Sequence, residues 1–111
     1  MLINIGLNTN DGGRISAHLA LAALAMLGVR VEASTVATSD TEPTLVASLS
    51  RPITKPEGER LARALRQDCV AVFDGVNGQL YGPSAEAWGP FDPAFFLTLD
   101  GSRLNATAEA A

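Results

Sequence analysis

The order of patterned segments constrains this chain most: strand, helix, strand, strand, helix, strand, each set off by turn-forming residues. Leu2 to Asn8 alternates apolar and polar residues as a half-buried strand does, and Asn8-Thr9-Asn10-Asp11-Gly12-Gly13 then supplies turn formers. From about Arg14 to Leu27, the residues Ile15, Leu19, Ala22 and Met26 recur at helical spacing, with Gly28 placed to stop the helix. The remaining faces of that helix carry Leu21, Leu24 and further alanines, more apolar surface than one sheet contact needs, so a second packing surface is expected. Val29 to Thr38 and Pro43 to Ser50 favour extended structure around a Ser39-Asp40-Thr41-Glu42 turn.

Thr54-Lys55-Pro56-Glu57 reads as a capping box with a proline in the first turn, predicting a second helix from Lys55 to about Gln67. Cys69 to Phe73 is a short apolar run suited to a central strand, and Asp74-Gly75-Val76-Asn77-Gly78 turns the chain into Gln79-Leu80-Tyr81. Residues 82 to 93 hold three prolines and the only tryptophan, and read as a long ordered loop. Phe95 to Leu99 is expected to return as an extra C-terminal edge strand, and residues 101–111 as a frayed tail or a short solvated helix after a single domain over 1–100. The fold class that follows is α+β: βαββαβ, an antiparallel sheet with two helices on one face.

With 111 residues, 47% hydrophobic and 18% charged, there is room for one domain, and the apolar excess predicts that another subunit covers part of it. A net charge of −4 with scattered Lys and Arg argues against a nucleic-acid partner. The longest apolar run, Ala17 to Val29, is too short to cross a bilayer, so no membrane partner is expected. One cysteine allows no internal disulfide, and the start shows no basic leader or cleavage site; a cytoplasmic protein is the expectation.

One histidine and one cysteine also exclude the common nucleophile triads and histidine-rich metal sites within one chain, so no metal is expected. His18 reads as a packed core or interface residue and Cys69 as a buried small one. Asn10-Asp11-Gly12-Gly13 is a weak anion signal, better explained by Asp11 or Asn10 capping the first helix. Glu42 stands apart, because Pro43 restricts it to extended conformations and so fixes where its carboxylate points. The plainer reading of Glu42 is a solvated turn residue; the sharper one is an anion held ready for a cationic ligand. Trp88, Phe91 and Tyr81 could stack on a planar ring or surround a cation, although such residues more often fill an interface or core.

The segment Leu61 to Phe73, with its Gln67-Asp68-Cys69-Val70 tetrad, followed by Gln79-Leu80-Tyr81, resembles the phage S-adenosylmethionine-cleaving enzymes. Val31-Glu32-Ala33-Ser34-Thr35 and Glu42-Pro43-Thr44-Leu45-Val46 are similar to that family's pattern as well. The resemblance covers roughly residues 29 to 82. It implies a ferredoxin-like homotrimer acting as an S-adenosylmethionine lyase, releasing 5′-methylthioadenosine and homoserine lactone without a cofactor. Glu42 is then the candidate catalytic residue, with Thr41, Thr44, Asp74, Tyr81 and Trp88 as candidate substrate-binding residues. A non-catalytic trimeric ligand-binding or regulatory module, and a phage protein that contacts a host partner through the Trp88 loop, are the alternative expectations.

Overall fold

A computed structural model describes residues 1–39, 42–84 and 89–104. Its elements run β1 (Leu2–Gly6), α1 (Ala17–Met26), β2 (Val31–Ser39), β3 (Glu42–Leu49), α2 (Lys55–Ala64), β4 (Val70–Phe73), β5 (Gly78–Tyr81) and β6 (Gly89–Phe91). The strands form one antiparallel sheet in the order β2-β3-β1-β4-β5-β6. The first four strands and two helices make an α+β arrangement of the ferredoxin-like type, to which β5 and β6 add a flank beyond β4.

Alternation along the strands sorts side chains between the two faces of the sheet. Ile3 and Ile5 of β1 sit beside Ala47 and Leu45 of β3 and Val72 of β4, and all are buried against Ala20 and Leu24 of α1, Leu61 of α2 and Leu65 at its C-terminal cap. Local signals place the helices. Ser16 caps α1 by accepting from the Leu19 N–H at 3.1 Å, so the cap lies later than the Asn10–Asp11 turn that the sequence favours. At α2 the expected capping box forms, Thr54 accepting from the Glu57 N–H and Glu57 accepting from the Thr54 N–H. Glu57 also holds Arg51, at 2.8 and 2.9 Å, and Arg51 donates to the Leu27 carbonyl just past the end of α1, linking the two helices.

The apolar stripe of α1 is opposite to the expected one. Ala20 and Leu24 face the sheet, whereas Leu19 is half exposed and Met26 is 88% exposed. Both stripes are apolar, so periodicity alone could not choose between them; the sheet took the face rich in alanine, which allows close approach. His18 is exposed on the same outer side instead of buried in the core.

The second face of the sheet is covered by a strap and not by a helix. Residues 92–104 leave β6 through a single 3-10 turn at Pro93–Phe95 and run back across the sheet. Phe96 is fully buried there, with its ring centroid 5.4 Å from Phe91 and 5.6 Å from Phe73. Asn4 pins the strap: its side-chain amide donates to the Leu97 carbonyl at 3.1 Å and accepts from the Leu97 N–H at 2.9 Å, as a neighbouring strand would. The expected strand at Phe95–Leu99 therefore does not form, because these backbone groups meet a side chain and a tight turn. The extra edge strand is Gly89–Phe91 instead, inside the stretch read as a loop. Nor is the tail frayed from residue 101: Leu97 and Arg103 form a β-bridge, and the Leu104 N–H donates to the Phe96 carbonyl at 2.9 Å. No helix among the described residues is long and apolar enough to cross a membrane.

Candidate functional site

Glu42 opens β3, where the residue before a proline is held extended. By alternation it shares the strap-side face with Thr44, and its carboxylate lies against the backbone of Gly6 on β1. A Cβ at position 6 would fall 2.7–2.8 Å from that carboxylate, so a larger residue there would displace the Glu42 side chain from this position. Glu42 Oε2 accepts from the Asn8 N–H at 3.1 Å, which fixes the group at the end of the sheet. The solvated-turn reading thus gives way to a half-buried, hydrogen-bonded carboxylate.

Two recesses meet at this carboxylate. The larger, about 560 Å³, lies between the sheet and the strap; Asn4, Glu42, Thr44, Cys69 and Phe91 line it from the sheet side, and Phe95, Leu97 and Arg103 from the strap. The smaller, about 340 Å³, runs behind Glu42 between the β1–α1 and α2–β4 loops. Those loops are stitched by buried Gln67, whose side chain donates to the Asn8 carbonyl at 3.1 Å, and by the Asn10 N–H, which donates to Arg66. In the tetrad that carries the family resemblance, Gln67 is therefore a structural fastener of the floor below Glu42.

Cys69 is half-buried beside the site. Burial first, then the nearby carboxylates of Asp68 and Glu42, push its thiol above the ordinary range, so it stays protonated at neutral pH and is a poor nucleophile. Among the described residues no three His, Cys, Asp or Glu side chains gather as metal ligands do. The chemistry on offer is an anion, a cation, hydroxyl and amide groups, and two phenyl rings around one recess.

The structure divides the candidate residues from the sequence. Glu42 and Thr44 share the large cleft. Asp74 and Tyr81 instead share a separate depression of about 390 Å³ near Met1 and Gln79. Asp74 closes the β4–β5 turn by accepting from the Val76 and Asn77 N–H groups at 2.8 and 2.7 Å, which draws its carboxyl below the usual range. Tyr81 packs toward the helices, its ring so close over Gly58 of α2 that a Cβ there would meet it at 2.4 Å. Alternation explains the split, since Tyr81 pairs with Val70 and both lie on the helix side, whereas Leu80 pairs with Ala71 on the cleft side. Thr41 and Trp88 lie outside the described residues. Sequence reasoning missed Asn4, Phe95 and Arg103. Asn4 left a faint signal, a strong hydrogen-bonding amide between Ile3 and Ile5, while Arg103 left none in a stretch that read as tail. No family model, curated protein or solved structure matches this chain.

Proposed function

We propose that this protein is an S-adenosylmethionine lyase whose substrate lies in the cleft between the sheet and the strap. The observation that carries the reading is Glu42: a carboxylate held by the Asn8 N–H against Gly6, lining a recess that the phenyl rings of Phe91 and Phe95 also line. A sulfonium or ammonium group suits that anion, a flat base suits the rings, and about 560 Å³ is in the range of small-molecule sites. The sequence resemblance supplies the reaction. The substrate's own carboxylate attacks its γ-carbon, the carbon–sulfur bond breaks, and its electron pair leaves on sulfur as a neutral thioether. The products are 5′-methylthioadenosine and homoserine lactone, and no protein nucleophile or proton transfer is needed. The protein's part is to hold the reactive conformer and exclude water.

Glu42 must hold the sulfonium without anchoring it, because the cation vanishes as the bond breaks and a contact stronger in the ground state slows the step. The Asn8 N–H already draws on this carboxylate and tempers its pull. The reading includes a homotrimer in the cytoplasm, with the bare apolar side of α1 around Leu19 and Met26 as the surface available for subunit contact.

The test is to incubate the protein with S-adenosylmethionine and follow both products by chromatography, with Glu42→Gln alongside. Product from the parent, and at least about tenfold less from the variant, is expected, since one carboxylate–cation contact contributes on the order of 1.4 kcal/mol or more. No product from the parent overturns the lyase reading. Binding without turnover is the second reading: in the family that the sequence resembles a tyrosine lies in the loop upstream of the glutamate, whereas here Tyr81, the only tyrosine, is packed on α2 away from the cleft. A regulatory module of that kind would retain S-adenosylmethionine intact.

A further inference from the structure

The sheet ends on two unlike edges. β6 is three residues long with Pro90 at its centre, and the strap leaves directly from it. A short edge strand that carries a proline is poorly suited to pair with another chain. β2, on the opposite edge, runs for nine residues without proline, glycine, lysine or arginine. Its defences stop near its start: Glu32 is its one charge and sits where the register slips between Val31 and Ala33. From Ala33 to Thr38 the strand is regular and uncharged, built of alanine, serine, threonine and valine.

Hydrogen-bond alternation identifies which backbone groups of β2 face outward. The Leu7 N–H donates to the Pro43 carbonyl at 2.9 Å and the Leu49 N–H to the Met1 carbonyl at 2.8 Å, so odd-numbered residues of β3 bond toward β1 and even-numbered ones toward β2. Thr44, Val46 and Ser48 therefore bond toward Ala37, Thr35 and Ala33, and the N–H and C=O groups of Ser34, Val36 and Thr38 point away from the sheet. Among the described residues none bonds to these outward groups. Val36, which pairs with Leu45 on the helix side, is also half exposed.

We infer that β2 pairs antiparallel with β2 of a second copy about a two-fold axis at Thr35, joining the two sheets edge to edge. A row of outward N–H and C=O groups is completed by another strand. The side chains favour this same strand as the partner. An axis at Thr35 sets Thr35 opposite Thr35 and Ser34 opposite Val36, matches outward groups with outward groups, and brings the two half-exposed valines into diagonal contact. It also places each Glu32 opposite Thr38, away from its own copy, in a chain whose net charge of −4 penalises contacts between acids. An axis at Ser34 would instead set Glu32 against Val36. The inference concerns assembly and does not rest on the S-adenosylmethionine reading.

Sedimentation equilibrium of the full chain is expected to give an even-numbered assembly: a dimer, or a hexamer if the threefold contact proposed on α1 forms as well. Val36→Pro should halve that mass, because its N–H faces outward, where proline is tolerated in one sheet but blocks pairing with a second. Ser34→Lys should weaken the pairing at least about tenfold through like charges across the axis. In a Cys69→Ser background, which removes the only native cysteine, Thr35→Cys treated with oxidised glutathione should form a covalent dimer. Opposed residues of this kind lie about 4.5 Å apart at Cα, within disulfide reach. Thr38→Cys, which the register sets about 20 Å from its own copy, should not cross-link. Thermal melts check the fold, and if Val36→Pro does not fold, Ser34→Lys and the cross-links decide. A monomeric or trimeric parent, an unchanged mass in folded Val36→Pro or Ser34→Lys, or an assembly that fails to cross-link at Thr35, overturns the inference and leaves the S-adenosylmethionine reading standing.

Discussion

The two faces of the sheet are sealed by different means. On one side regular helices lay aliphatic side chains over Ile3, Ile5, Leu45 and Val72, all of which are buried. On the other, an irregular strap packs Phe96 against Phe73 and Phe91 of the sheet, and the cleft, which Phe91 also lines, stays open beside them. A helix satisfies its own backbone and so covers a sheet continuously, whereas a strap must find partners for its backbone one group at a time. Asn4 is such a partner, an amide in the middle of a hydrophobic strand. Irregular covering costs sealed area and leaves room for a ligand between polar anchors.

If the strap is part of one cooperative core, breaking it should cost as much as breaking the helix layer. Phe96→Ala is expected to destabilise by about 3–5 kcal/mol, matching the loss of about 2–5 kcal/mol for Leu61→Ala on the other face, both fully buried. Denaturant unfolding measures the pair. A loss below about 1 kcal/mol for Phe96→Ala alone would make the strap an appendage and deprive the cleft of a fixed wall.

Asn4→Ala should come next, at about 1–3 kcal/mol, because it leaves the N–H and C=O of Leu97 without their partner. Amide exchange at Leu97 should quicken while exchange in Leu61 and Leu65 on the helix side holds. Uniform quickening across both faces would show that the strap cannot loosen by itself.

The smallest effect separates the faces by pH. Each face has one carboxyl held at about pH 2: Glu57 in the helix layer, chiefly by Arg51, and Asp100 in the strap turn, chiefly by Ser102 and then Thr98. A depressed carboxyl stabilises the fold above its unfolded pKa, and that contribution disappears as pH falls toward its folded one. Stability should therefore decline from about pH 4.5 down to about pH 2. Glu57→Gln should flatten this decline more than Asp100→Asn, since the Glu57 side chain is only 17% exposed whereas Asp100 is exposed to solvent. The reverse order in a pH series of melts would mean that the strap turn, not the capping box, is the acid-sensitive joint.

Legibility followed the range of the interactions. The Thr54–Glu57 box, the Asp74 turn and the β4 run are written within a few residues and appear where the sequence places them. The stripe of α1 was misread because both sides of that helix are apolar, and the extra strand because Gly89–Phe91 lies among prolines that read as loop. Of the candidate site, Glu42 stood out through the constraint that Pro43 imposes, and Thr44 was named only through the family resemblance. Asp74 and Tyr81 went elsewhere once strand alternation assigned them to a turn and to the helix side.

By itself the sequence determined the order of elements, the caps of α2, the central place of β4 and the extended backbone at Glu42, because each depends on neighbours along the chain. Tertiary structure alone decided that Asn4 would serve as a backbone partner, that Gly6 would make room for a carboxylate, and that Arg103 would return across 61 positions to line the cleft with Glu42. Those pairings join groups far apart in sequence, and no local pattern of hydropathy or turn residues encodes which distant side chain completes them.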